Sequence, residues 1–173
     1  MATSERLTCV ISGSFSKFKP EIDSLHSEFG DNDIDVLAPD KGWVAADYVR
    51  SKVIFPSGFR ALPSERGMSP KEIEEQFLRC LGRAHFLYLH NQDGYLGNSA
   101  YFELGNAMAA QKPVYARQEL EYDPDFEDLR EWLAVKKYVR VVPIPQISED
   151  FYQSTATASW QRQEHPPSWH RLF

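Results

Sequence analysis

The chain is poor in the features that define specialised protein classes. Its 173 residues contain two cysteines, Cys9 in a strand-like run and Cys80 on the apolar side of a predicted helix. This favours two buried free thiols over a disulfide. Neither cysteine has a base beside it in sequence, so a cysteine nucleophile is not expected. No apolar run approaches the ~20 residues that cross a bilayer. The opening MATSERLTCV has no signal-peptide layout, and a cytoplasmic protein without a membrane partner is the expectation. Basic charge is also short: 25 acidic residues against 19 basic ones give a net charge of −6. That sign opposes binding to polymeric nucleic acid by counterion release. The dinucleotide fingerprint is missing, since Ser12-Gly13-Ser14-Phe15-Ser16 holds one glycine, and there is no P-loop sequence. Metal-ligand spacing is missing as well. His85 and His90 lie an odd number of residues apart on a predicted strand and should point to opposite faces, and His165 and His170 fall in the C-terminal tail. Neither a cofactor nor a metal is expected.

What is present is an ordinary globular composition, 42% hydrophobic and 25% charged, at a length that supports one domain with its own core. Residues 8–11 read as a strand ending in Ser12-Gly13-Ser14. Residues 20–29 follow as a helix with Ile22, Leu25 and Phe29 on one face, and residues 33–37 as a second strand stopping at Ala38-Pro39-Asp40. Residues 41–67 carry Pro56, Gly58, Pro63 and Gly67 and read as a long functional loop or lid, with Val53-Ile54-Phe55 as a possible short strand. Ser69-Pro70 then starts a helix with Ile73, Phe77, Cys80 and Leu81 on its buried face. Strands follow at 85–90, 114–116 and 139–142, with helices after residue 99 and over 125–136. The alternation predicts an α/β fold: a doubly wound, five-stranded parallel sheet with helices on both faces, flavodoxin- or Rossmann-like. The domain is read as residues 1–144. Residues 145–173 are read as an aromatic C-terminal tail, with Trp160, Trp169 and Phe173, docking on the domain or on a neighbouring subunit.

Residues 93–115, DGYLGNSAYFELGNAMAAQKPVY, hold the strongest functional signal. They read as a turn opening into a helix with Tyr101, Leu104 and Met108 on one stripe and Glu103 in its first turn. In an open parallel sheet ligands bind beyond the carboxyl ends of the strands, and this segment delivers Glu103 to that edge. The helix macrodipole there predicts an ionised carboxylate at neutral pH. A capping box is the structural alternative, but the residue three places earlier is Ala100, and with Asn98 or Ser99 as the cap Glu103 comes too late for the reciprocal bond. Asp40 and Asp93 fall at the same edge, whereas Asp47 is read as a solvated surface acid. The small residues Ser12 to Ser14 before a helix, with Lys17 and Lys19 nearby, suit a 5′-phosphate, although solvated lysines and a simple serine turn fit equally well.

Gly94-Tyr95-Leu96-Gly97-Asn98-Ser99, then Glu103-Leu104-Gly105-Asn106-Ala107, then Lys112-Pro113-Val114 resemble the nucleoside 2-deoxyribosyltransferase family and its nucleotide N-glycosidase relatives. In that family a small-residue loop precedes an E-L-G-x-A helix and a G-K-x-V strand entry. The resemblance spans roughly residues 7–116. It implies that Glu103 attacks the anomeric carbon of a nucleoside or nucleoside monophosphate, forming a covalent glycosyl-enzyme and passing the sugar to another base or to water. It implies substrate contacts from Ser12, Gly13, Ser14, Asp40, Gly97, Asn98 and Ser99, and a homo-oligomer. The family's transferases also have an acid six residues before the nucleophile. Here that position is Gly97, leaving Asp93 or Asn98 as substitutes and placing base exchange in more doubt than cleavage. Two other readings stay open: a non-catalytic nucleotide sensor of the same fold, and an NAD-cleaving relative that also uses a glutamate.

Overall fold

The computed structural model describes residues 6–41, 68–94, 96–121 and 129–156, together with short pieces at 44–45, 49–50, 53–54, 60–61 and 64. The elements run β1 (Leu7–Gly13), α1 (Phe15–Asp31), β2 (Ile34–Ala38), β3 (Val44–Ala45), β4 (Val49–Arg50), β5 (Val53–Ile54) and β6 (Arg60–Ala61). They continue through α2 (Pro70–Arg83), β7 (Phe86–His90), a 3-10 turn (Gln92–Gly94), α3 (Asn98–Ala109), β8 (Val114–Ala116), α4 (Leu129–Tyr138), β9 (Val139–Val141) and α5 (Ile144–Ala156). Five strands form one sheet in the order β2-β1-β7-β8-β9, and every pairing in it is parallel. This is the doubly wound α/β architecture expected from the strand-helix alternation. The chain leaves β1 toward one edge and returns through β7 to build the other. The switch point therefore lies between the carboxyl ends of β1 and β7, where Gly13 is in register with His90.

The alternation of side chains along β1 and β7 splits the core into two layers. Val10, Leu87 and Leu89 point to the layer that α2, α3 and α4 cover with Phe77, Leu81, Ala100, Leu104, Ala107, Val135 and Tyr138. Cys9, Ile11, Phe86 and Tyr88 point to the layer covered by Ile22, Leu25 and Phe29 of α1 and by Ile144, Ile147 and Phe151 of α5. All five residues of β7 are buried, as a central parallel strand covered on both faces requires. Cys9 is buried and Cys80 half-buried, both as free thiols. No described helix is long and apolar enough to cross a membrane.

Three local readings change. The first helix begins at Phe15, not near Pro20, and Phe18 departs from helical geometry at φ −125°, ψ 25°. Proline removes an N–H and clashes with the preceding turn, so a break just ahead of Pro20 lets the helix carry that residue. The last segment is not irregular throughout. Residues 144–156 form α5, whose Ile144, Ile147 and Phe151 share one buried stripe. Pro143 and Pro145 stand at a helix start, where proline's missing N–H costs little. Tyr115 donates to Asp150 at 2.9 Å and Asp150 also pairs with Arg140, tying α5 to the sheet. The third change is at His85, which precedes β7 and so escapes the strand alternation. Its ring packs on Phe151, in the same layer where His90 meets Phe18. Residues 157–173, with Trp160, Trp169 and Phe173, lie outside the described residues, as does most of 41–67. Within the latter, β3 pairs antiparallel with β6 and β4 with β5 as two nested ladders.

The start of α2 follows its sequence signal closely. Ser69 accepts from the Glu72 amide, the Glu72 side chain accepts from the Ser69 amide at 2.7 Å, and Pro70 opens the helix. This reciprocal pair satisfies two otherwise orphaned donors. Replacing Ser69 by Ala should cost about 1 kcal/mol and lower the thermal midpoint by roughly 2–4 °C. An unchanged midpoint would show that the cap contributes nothing.

Candidate active site

β1 and β7 approach closely at the switch point because Gly13 has no side chain. A Cβ there would stand 3.0 Å from the His90 carbonyl oxygen and 3.2 Å from its Cβ. Beyond β7, Asn91 ties the strand end to the chain after β8, donating to the Gln118 carbonyl at 2.7 Å and accepting from the Gln118 amide at 3.1 Å. The 3-10 turn then needs Gly94, whose φ is +75° and whose missing Cβ would fall 2.2 Å from Glu121 Cγ. This turn brings the chain to Gly97, the extended N-cap of α3, and the Gly97 carbonyl accepts from the Tyr101 amide.

Because α3 starts at Asn98, Glu103 is its sixth residue and lies in the second turn, not the first. With no side chain at the cap, the helix extends back over Asn98 and Ser99. Glu103 then shares the inward stripe of Ala100, Leu104 and Ala107. It is only 5% exposed. The expected ionised carboxylate is therefore corrected. Burial pushes the Glu103 carboxyl up to about 8; the neighbouring Ser12 hydroxyl pulls the other way, and Glu74 raises it further. At neutral pH the free protein holds Glu103 mostly protonated. Desolvation outweighs a macrodipole whose influence fades after the first turn.

Ser12, at the end of β1, is 0% exposed. Its hydroxyl lies close enough to ease ionisation of Glu103 but has no partner in full hydrogen-bond geometry. Buried hydroxyls without partners are uncommon and call for an explanation such as a ligand or a catalytic task. On the opposite layer His90 is 1% exposed, with both ring nitrogens unpartnered. Burial, and then Arg117, lower its proton affinity, so it is a neutral ring at the same switch point.

The other expected site residues are scattered around this centre. Gly13 adjoins it in β1, and Ser14 caps α1 without a side-chain cap bond. Gly97 and Ser99 stand at the start of α3, with Ser99 exposed, whereas the side chain of Asn98 lies outside the described atoms. Asp93 is exposed on the turn at φ 56°; no hydrogen bond or ion pair joins it to Glu103 among the described residues. Asp40 accepts from the Ser64 amide at 2.6 Å. It lines a cavity of about 20 Å³ with Ile73, Gln76 and Phe77, room for one water at most. Asp47 lies outside the described residues, as does the Lys17 side chain. Lys19 is not a solvated lysine. It is 3% exposed, pairs with Asp23 and donates to the Asp40 carbonyl at 2.9 Å. No group of three metal-ligating side chains gathers among the described residues.

Two participants were missed in the sequence. Asn91 gave no signal beyond its place after a strand. Glu74 did give one, since it stands three, four and seven places before Phe77, Leu78 and Leu81 on an otherwise apolar stripe.

No protein-family model matches the chain, and neither does any curated protein. Among solved structures the chain is similar to the CMP N-glycosidase BcmB of Clostridium botulinum, at 11% identity over 87% of this chain and 98% of that one, with a TM-score of 0.47. It is similar also to a conserved protein from Enterococcus faecalis V583, at 14% identity over 86% and 99%, again with a TM-score of 0.47.

The raised proton affinity has a consequence for stability. Between the ordinary value of 4.5 and about 8 the folded protein keeps a proton that the unfolded chain has released, so stability falls as pH rises through that window. Denaturant titrations at pH 5, 7 and 9 should show the wild type losing roughly 4 kcal/mol across that range relative to Glu103→Gln. Parallel stability curves for the two proteins would contradict a buried, protonated Glu103.

Proposed function

We propose that the protein cleaves or transfers the N-glycosidic bond of (2-deoxy)ribonucleosides or their monophosphates, with Glu103 as nucleophile. The observation that carries this reading is a nearly buried carboxyl at the switch point, outside any cap of its own helix and beside the buried Ser12 hydroxyl, which favours its ionised form. The Gly94–Ser99 loop and the Glu103–Ala107 helix, which resemble those of nucleoside 2-deoxyribosyltransferases, agree with it.

The anomeric carbon of a bound sugar accepts an oxygen of ionised Glu103 as the bond to the base nitrogen breaks, through an oxocarbenium-like transition state. Ser12 is suited to orient the carboxylate, because a hydroxyl donating to its charged form favours ionisation. In this reading substrate contacts fall to Gly13 and Ser14 at the end of β1 and to Gly97, Asn98 and Ser99 at the start of α3, with Asp93 and Asp40 as the further acids at that edge. Position 97 holds glycine where family transferases have an acid, which favours water over a second base as acceptor. A homo-oligomer, with a neighbouring copy completing the site, belongs to the same proposal.

The protonated state of Glu103 favours one rival reading. A neutral carboxyl can donate a hydrogen bond to a sugar oxygen and hold a nucleotide as a signal without attacking it. Incubation with deoxynucleosides, their monophosphates and NAD, with free bases followed by chromatography, separates the two. Release of base by the wild type and a loss of at least ~1000-fold in Glu103→Ala is expected if the nucleophile has been removed. Equal release by both proteins would remove Glu103 from the chemistry, and tight binding without release would favour the sensor.

A further inference from the structure

A protonated nucleophile must lose its proton before it attacks, and a departing base must gain one. The packing of α2 on α3 supplies a group for both needs. The two helices contact each other, and both start at the carboxyl edge of the sheet and run back across it. Glu74 is the fifth residue of α2 and Glu103 the sixth of α3, so each stands in the second turn of its helix. Each lies on the inward stripe of its helix, Glu74 with Phe77 and Leu81, Glu103 with Ala100, Leu104 and Ala107.

The Glu74 Oε1 atom is buried and has no hydrogen-bond partner. Burial raises the proton affinity of its carboxyl. The negative charge of Glu74 is felt at Glu103. Ser12, 0% exposed and unpartnered, borders the Glu103 carboxyl from β1. Other charged groups nearby are engaged elsewhere: Lys19 with Asp23 and the Asp40 carbonyl, Asp40 with Ser64. Arg117 acts on Tyr88 and His90.

Resting on the reading of Glu103 as nucleophile, we propose that Glu74 and Glu103 form a proton-sharing carboxyl pair in which Glu74 is the acid that protonates the leaving base. Like charges in a shared, poorly solvated site do not ionise together, so one proton is retained by the pair. In the reactive arrangement Glu103 is the carboxylate and Glu74 the carboxylic acid. The C1′–O bond to Glu103 forms as the C1′–N bond breaks. The bonding electron pair stays on the base nitrogen, which takes the Glu74 proton, leaving a neutral base, a glycosyl ester and the Glu74 carboxylate. Water then attacks C1′ and gives a proton to Glu74, and Glu103 departs as a carboxylate, restoring the singly protonated pair. Glu74 thereby fills, from a different helix, the role left open by Gly97.

The test compares wild type, Glu74→Gln and Glu74→Asp on two substrates. One is a deoxynucleoside or monophosphate that the wild type cleaves. The other is 4-nitrophenyl 2-deoxyriboside, with and without a 5′-phosphate, whose leaving group needs no proton. Glu74→Gln should lose at least ~100-fold on the natural base, whereas the first-turnover burst of nitrophenol, which reports the glycosylation step alone, should stay within about threefold of wild type before a slowed steady state, with Glu74→Asp partly restored. Wild-type kcat/KM should fall above about 8 for the natural base, where the pair loses its last proton, and rise through the same pH for the nitrophenyl sugar. Equal losses on both substrates in both variants would make Glu74 a structural residue and overturn the proposal. The pairing itself is read without turnover by carbon NMR of the Glu103 carboxyl, whose midpoint should move down by roughly one unit in Glu74→Gln. An unmoved midpoint overturns the pair. A moved midpoint with no cleavage of either substrate by the wild type upholds the pair while refuting the glycosidic reading.

Discussion

The site depends on one unfavourable placement: a carboxyl held almost out of water on the packed face of α3, with no backbone N–H of its own helix to satisfy it. Burying an unpaired charge costs far more than a single helix or strand contact returns, so the group takes up a proton instead. That placement fixes what the surroundings must provide. The layer of Leu104, Ala107, Phe77 and Leu81 has to be firm enough to retain a polar group among apolar ones. The hydroxyl of Ser12 and the second carboxyl at Glu74 are the polar surfaces offered in return.

The scaffold makes this arrangement possible through chain order. Placing β1 and β7 side by side while sending α1 to one layer and α3 to the other makes their carboxyl ends the topological switch point, the edge at which open parallel sheets bind ligands. Gly13 lets the two strands close up there, and Asn91 braces the end of β7. Two polar groups of unlike character then face the same switch point from opposite layers: an acid with raised proton affinity, and a histidine kept neutral by burial and by Arg117.

The sequence was most legible where local chemistry decides the outcome. The Ser69-Pro70 signature marks the start of α2 to the residue, and the apolar and aromatic runs locate β7 and β8. It was less legible where a distant partner decides. Pro143 and Pro145 look like breakers until the buried stripe of Ile144, Ile147 and Phe151 finds the sheet. Pro20 hides a helix that starts five residues earlier across a break at Phe18. Glu103 was recognisable as the candidate acid from its loop and helix, but its protonation was not. The macrodipole is a property of the local chain, whereas desolvation comes from helices and strands remote in sequence. Lys19 reversed for the same reason, since only the fold brings the Asp40 carbonyl to its ammonium.

The central claim is that Glu103 becomes covalently bonded to a sugar. It is tested most directly with a nucleoside whose 2-fluoroarabinosyl group slows both displacement steps, followed by mass spectrometry of the digested protein. The account predicts one glycosyl adduct, on the peptide containing Glu103, with a matching quantity of free base. An adduct on any other residue, or release of base with the Glu103 peptide unmodified, would contradict it.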